Sequence, residues 1–194
     1  METRCRGIVL AAYPYSETSL IVHWLTDTEG RIATLAKGAR RPKSRFEVDL
    51  YYLCDLVLQK RGELHLLKEA ALDWAPAELR RNIAALETAA YASKLVRSNV
   101  PTDENVFTLF QAFEHMLREL ETGEVALAQV AFSLRYLQEM GLLPSLSRTS
   151  LSPGAQRVAT GLIANPFGKL PIRASPGQLN ELQAFTLMQL KPSP

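Results

Sequence analysis

Residues 36 to 45 contain closely spaced basic side chains of the kind that bind phosphate groups. The segment reads AKGARRPKSR, and no acidic residue interrupts the basic ones. Arginine can donate two parallel hydrogen bonds to phosphate oxygens and lysine acts as a point charge, so this set suits a phosphodiester backbone. Because Gly38 and Pro42 disfavour a helix, we predict a basic loop, residues 36 to 45. Its predicted phosphate contacts are Lys37, Arg40, Arg41, Lys43 and Arg45.

The alternative is a solvated loop, or one that pairs with acids elsewhere in the chain. The net charge of the whole chain is only +2, so affinity for a nucleic acid would depend on how charge is arranged locally. Aromatic rings near the loop could each stack a base, worth roughly 1–3 kcal/mol, although most rings in a barrel belong to its core. These rings are Tyr13, Tyr15, Phe46, Tyr51 and Tyr52.

The chain shows no recognisable catalytic or metal-binding constellation. Its three histidines are widely spaced, and its two cysteines, Cys5 and Cys54, cannot complete a four-ligand zinc site alone. Neither a phosphate-cradling GxxxxGK(S/T) motif nor a GxGxxG motif is present. We expect a protein that is not an enzyme, with no catalytic residue, no metal and no cofactor.

Composition indicates a folded chain without a membrane span. Of its 194 residues, 47% are hydrophobic and 22% are charged, which is ordinary for a protein with a packed core. No apolar run approaches the ~20 residues that cross a membrane, and the N-terminus lacks the design of a signal peptide. We expect a soluble, cytoplasmic protein whose cysteines are free thiols.

The spacing of apolar residues divides the chain near Trp74. Five segments before it are rich in β-branched residues or alternate in polarity, as strands do, and Gly30 and Gly62 lie in predicted hairpin turns. Five strands in about 70 residues fit a small OB-type barrel, and an SH3-like barrel fits almost as well. The predicted strands are residues 4–12, 19–26, 31–37, 51–59 and 64–71.

After Trp74 the apolar residues recur every three to five positions, which is a helical period. The predicted helices are residues 75–100, a helix capped by Thr102, residues 124–140, and two helices opened by Ser152-Pro153 and Ser175-Pro176. We therefore predict an α+β fold, with a barrel domain that carries the basic loop, residues 1–74, and a helical domain, residues 75–194.

Four segments read GIVL, YSETSLIVHWLT, EGRIATLAKGARRPKS and LLKEA, at residues 7–10, 15–26, 29–44 and 66–70. Together they strongly resemble the bacterial RecO family of recombination and repair mediators. A weaker similarity continues in the helical half at Ala90-Tyr91, at Leu109-Phe110 and in FSLRYLQEMGLLP, residues 132–144.

The resemblance implies an N-terminal OB domain, binding of single- and double-stranded DNA, and annealing of complementary strands. It implies work with RecR, and sometimes RecF, to place RecA on DNA coated by single-strand binding protein (SSB), at the nucleoid and without nucleotide hydrolysis. The five loop cations would contact DNA, and we add Arg31 to them. The SSB tail would bind in the helical half, where Arg135 is our candidate because an acidic-aromatic peptide needs a cation beside an apolar groove.

The sequence departs from the family pattern in one way. Many relatives carry a four-cysteine zinc module after a GLLP-like stretch, whereas residues 143–155 here read LPSLSRTSLSPGA and contain no cysteine. We expect no zinc module. The chain is also shorter than is typical of the family, so we expect a reduced set of C-terminal helices.

Two other functions stay open at this point. One is a protein-interaction adaptor that docks on SSB with only weak nucleic-acid contact, which binding of a tail peptide without oligonucleotide binding would favour. The other is an RNA-binding OB protein. Competition between DNA and RNA oligomers of one sequence would decide, because the 2′-hydroxyl distinguishes them.

Overall fold

Five β-strands close into a barrel in the computed structural model, which describes residues 2–102, 104–164 and 173–190. The strands are β1 (Glu2–Pro14), β2 (Leu20–Thr26), β3 (Arg31–Ala36), β4 (Leu53–Gln59) and β5 (Leu64–Trp74). Around the barrel they follow the order β1-β2-β3-β5-β4. β3 and β5 pair in parallel, whereas the other neighbours are antiparallel. An antiparallel SH3-like barrel lacks such a pair, so the predicted OB-type barrel is confirmed.

The strands form where the sequence predicts them because apolar side chains alternate along them. In β3, Ile32, Thr34 and Ala36 are buried, whereas Ala33 and Leu35 are half-buried. The buried ring of Trp24 in β2 donates its Nε1 hydrogen to Thr34 Oγ1 at 2.8 Å. The polar edge of the indole therefore has a partner inside the barrel.

Helices follow the barrel, as predicted, and the α+β fold is confirmed. They are α1 (Ile83–Asn99), α2 (Phe107–Thr122), α3 (Val125–Glu139), α4 (Pro153–Ala164) and α5 (Pro176–Gln189), with 3₁₀ turns at Leu79–Arg81 and Leu146–Arg148. Ser175 caps α5 in a reciprocal capping box with Gln178, and proline occupies the first turn. The helix starts predicted at Pro153 and Pro176 are confirmed.

The predicted start of the first helix at residue 75 is wrong. The chain instead makes the 3₁₀ turn Leu79–Arg81 before α1 begins at Ile83. Glu121 on α2 explains the difference, because its carboxylate accepts hydrogen bonds from the backbone N–H groups of Ala77, Glu78 and Leu79. A side chain that is distant in the sequence therefore stabilises a non-helical segment before α1.

The predicted N-cap at Thr102 is also wrong. Thr102 forms a parallel β-bridge with Arg31, and α2 begins later, at Phe107. The segment before α2 thus lies beside the start of β3 instead of opening a helix.

A shared hydrophobic core connects the barrel to the first helices. Ile8, Leu10 and Leu53 from the barrel belong to the same buried cluster as Phe110 and Phe113 on α2. Separate clusters fill the barrel interior and the space among α3, α4 and α5. The packing of α1 and α2 against the barrel therefore places side chains of these helices beside β1 and β2.

Neither cysteine offers reactive chemistry. Cys5 and Cys54 are buried and unbridged, and burial raises the pKa of each thiol to about 12. In the parts of the chain that the structure describes, no group of three or more His, Cys, Asp or Glu side chains is placed to hold a metal ion. Across the same ranges, no helix is both long and apolar enough to cross a membrane.

Candidate nucleic-acid interface

The basic loop leaves the end of β3 in a series of tight turns. Gly38 adopts a left-handed conformation, with φ of 79°, directly after the strand. The backbone N–H of Arg41 donates to the Gly38 carbonyl at 3.1 Å, and that of Ser44 donates to the Arg41 carbonyl at 3.0 Å. These hydrogen bonds give the predicted loop a defined path.

Arg40 attaches the basic loop to the turn between β1 and β2, residues 15–19, which we call the β1–β2 turn. The backbone N–H of Arg40 donates to the Thr18 carbonyl at 3.0 Å. Its guanidinium Nη1 donates to the Ser16 carbonyl at 2.6 Å. Two neighbouring segments of the barrel surface are therefore held together, and part of the Arg40 guanidinium is already engaged within the protein.

The five predicted loop cations lie in the one loop that follows β3. Each of them is exposed. Among the residues that the structure describes, none of the five forms an ion pair within 4.0 Å. Arg45 stacks its guanidinium 4.9 Å from the centre of the Phe46 ring. An exposed, acid-free group of cations can accept several phosphates of a flexible backbone without first breaking internal salt bridges.

The structure separates the nearby aromatic residues into two groups. Phe46 and Tyr51 are buried and Tyr52 is half-buried, whereas Tyr13 and Tyr15 are 44% and 59% exposed. The Tyr13 hydroxyl accepts a 2.6 Å hydrogen bond from Arg97 on α1. Sequence reasoning could not make this separation, because the burial of each ring depends on contacts with residues that are distant in the chain.

An open cleft of about 300 Å³ lies between the β1–β2 turn and the basic loop. Tyr15, Leu35, Lys37 and Arg41 are among the residues that line it. We call it the Tyr15 cleft. It combines an aromatic surface with two positive charges.

Arg31 is not brought to the basic loop. It begins β3 while the loop follows its end, so about 20 Å of strand separates Arg31 from Lys37. Its Nε donates to the Val100 carbonyl at 2.7 Å. The DNA contact predicted for Arg31 therefore stays a prediction that needs a second positive region.

That second region includes Arg97, which sequence reasoning missed because only the packing of α1 against β1 brings it there. Burial, followed by the positive charges of Arg97 and Arg31, lowers the pKa of His23 below its ordinary value of 6.5. His23, Arg31 and Arg97 thus lie near one another, beside the exposed ring of Tyr13, which contacts both Arg97 and His23.

Arg135 lies inside the helical half. It is 5% exposed and donates from Nη2 to the Leu162 carbonyl on α4. Burial lowers the pKa of its guanidinium below the ordinary value. An acidic peptide could reach this charge only if the side chain left its present position, so its role as a partner contact stays a prediction.

Comparison with known proteins gives one consistent family. The family model described as Recombination protein O N terminal matches residues 1–73, and that described as Recombination protein O C terminal matches residues 80–159.

Individual relatives carry the name DNA repair protein RecO. The protein of Variovorax paradoxus is 34% identical over 152 residues, which cover 74% of this chain and 59% of the relative. The protein of Nitrosospira multiformis is 31% identical over 188 residues, which cover 95% of this chain and 77% of the relative. The chain spans 60% of the related protein of Laribacter hongkongensis, with 31% identity. Thus it matches less than two thirds of the length of two of these relatives.

Proposed function

Because this chain belongs to the RecO family of recombination proteins, we propose that it is a DNA repair and recombination mediator that grips the DNA backbone with its basic loop. The observation that carries this proposal is the exposed, acid-free set of five cations at the end of β3. Such a set neutralises phosphates of any sequence and releases their counterions.

We further propose that the protein anneals complementary single strands. Two strands repel each other, and cations on a shared surface reduce that repulsion so that base pairing can complete the duplex. The protein makes and breaks no covalent bond in this process, which is why we propose no enzymatic activity and no cofactor. The same cations would hold double-stranded DNA by its phosphates.

The two parts of the chain have different proposed roles. We propose that residues 1–74 bind DNA and that residues 75–194 bind RecR and the SSB tail, with RecF as a partner in some settings and RecA loaded indirectly. Exposed apolar side chains on the helices, such as Ile83 and Met188 at 76% and 61%, support a partner-binding role. With DNA as its ligand, the protein would act at the nucleoid in the cytoplasm.

A salt series of oligonucleotide binding tests the proposal. The test variant replaces Lys37, Arg41 and Lys43 with alanine, which leaves the Arg40 anchor intact. We expect weaker binding to single strands of any sequence, and a slope of log affinity against log salt that is flatter by about 2, from about 0.7 per lost contact. The control replaces Arg148, Arg157 and Arg173, three exposed cations of the helical half, with alanine, an equal change of net charge.

Three results would contradict the proposal. Equal slopes for the loop variant and the wild type would remove the loop from the interface. An SSB tail peptide that binds while no oligonucleotide does would support an adaptor instead. Stronger competition by RNA than by DNA of the same sequence would support an RNA-binding protein.

A further inference from the structure

The Tyr15 side chain is 59% exposed although its ring is largely apolar. The backbone N–H of Tyr15 donates to the Ser19 carbonyl at 3.0 Å, which fixes the turn from which the side chain projects. Among the described residues, its ring forms no stacking or cation contact, whereas Tyr13 contacts both Arg97 and His23. The Tyr15 ring is therefore available to a ligand.

The surroundings of the ring define what that ligand would be. Within the Tyr15 cleft, Leu35 extends the apolar surface, and Lys37 and Arg41 supply positive charge at its edge. A cleft of about 300 Å³ can hold one planar ring system with its attached sugar, and it is too open to enclose a small molecule fully. An aromatic face beside two cations matches a nucleobase joined to a phosphate.

We propose that the Tyr15 cleft binds one unpaired base of single-stranded DNA, stacked on the Tyr15 ring, with the adjoining phosphate on Lys37 and Arg41. This inference rests on the proposed binding of DNA by the basic loop, and it adds a contact with the base itself. Stacking accepts any base because every base has a π-face.

The cleft would distinguish unpaired from paired DNA. In a duplex, each base stacks on its neighbours and pairs with its complement, so its face is not available to Tyr15. The loop cations contact phosphates in either form. A strand held in the cleft would release its base from Tyr15 when a complementary strand offers stacking and pairing instead.

Equilibrium binding of the full chain to three probes tests the inference. The probes are a single-stranded oligothymidylate, an oligomer of the same length with abasic sites throughout, and a duplex. We expect Tyr15→Ala to weaken binding of the first by about five- to 150-fold, which corresponds to about 1–3 kcal/mol. Binding of the other two should not change, and Tyr15→Phe should bind all three like the wild type because stacking needs only the ring.

Controls separate this inference from the function on which it rests. Phe107→Ala removes a 48% exposed aromatic ring on α2 and should leave all three affinities unchanged. Wild-type affinity of Tyr15→Ala for the oligothymidylate, or an equal loss on the abasic probe, would overturn the stacking contact. If the triple loop variant still binds weakly in that case, DNA binding by the loop stands. If the triple variant binds like the wild type, the proposed function fails and the inference fails with it.

Discussion

The Arg40 guanidinium donates a 2.6 Å hydrogen bond to the carbonyl oxygen of Ser16, and this contact joins the basic loop to the turn that carries Tyr15. Of the five loop cations, Arg40 therefore has a positioning role that its neighbour Arg41 does not share. Arg41 instead lines the Tyr15 cleft. Two adjacent arginines, equivalent in the sequence, have different roles in the structure.

We predict that Arg40→Ala loosens the loop and that Arg41→Ala does not. Loss of a hydrogen bond worth about 1 kcal/mol should raise the population of the open loop about five-fold. Trypsin cleavage after Lys43 and Arg45, two sites that both variants keep, should then be several-fold faster in Arg40→Ala than in the wild type. Equal cleavage rates in the two variants would show that Arg40 does not hold the loop.

Arg31 was predicted from the sequence to contact DNA, whereas in the structure its Nε donates a hydrogen bond to the Val100 carbonyl. We predict that Arg31→Ala lowers the free energy of unfolding by about 1 kcal/mol, a modest value because the side chain is partly exposed. Urea denaturation measures this loss. Arg4→Ala, which removes an exposed cation of β1, should have little effect.

The salt dependence of DNA binding by Arg31→Ala then decides between the two roles. A slope equal to that of the wild type would assign Arg31 to the junction between the barrel and the segment before α2. A slope flatter by about 0.7 would support the DNA contact that the sequence predicts.

Local patterns in the sequence predicted the strands and the loop. The alternation of polarity along β3, and the effects of Gly38 and Pro42 on the backbone, depend only on residues a few positions apart. Contacts between distant residues decided what local patterns could not. Thr102 has the chemistry of an N-cap, yet it pairs with Arg31. Glu121 accepts backbone hydrogen bonds from the segment where the first helix was predicted to begin. In the same way, burial of Tyr51 and exposure of Tyr15 depend on the closed barrel.

Acid should destabilise the fold partly through His23. Burial and the charges of Arg97 and Arg31 keep the pKa of His23 below 6.5 in the folded protein, so folding favours the neutral imidazole. The unfolded chain takes up a proton near pH 6.5, and the stabilisation present above that pH is lost as the pH falls through the folded pKa. We predict that the free energy of unfolding falls less between about pH 7.5 and about pH 5.5 in His23→Asn than in the wild type.

Urea titrations of both proteins at each pH measure this difference. His115 also has a pKa lowered mainly by burial, but it contributes equally to both proteins and cancels in the comparison. An identical pH dependence of the two proteins would exclude a contribution from His23.

Two glycines in hairpin turns should respond very differently to the same substitution. Gly30 has φ of 68°, and an added Cβ would lie 1.8 Å from the carbonyl oxygen of Glu104 in the segment before α2. Gly62 has φ of 43° and open space around the Cβ position. Gly62→Ala should therefore cost only the backbone strain, about 1 kcal/mol. Gly30→Ala must also displace the backbone at Glu104, and we predict a loss of about 3 kcal/mol or more, or no folded protein.

Asparagine variants separate strain from collision, because asparagine tolerates the left-handed conformation but still carries a Cβ. Gly62→Asn should unfold close to the wild-type midpoint in a thermal melt followed by circular dichroism. Gly30→Asn should be as damaging as Gly30→Ala, since the collision with Glu104 is unchanged. If asparagine rescued both positions equally, the turn between β2 and β3 would not be fixed against the segment before α2, and the attachment of the helices at this edge of the barrel would need another cause.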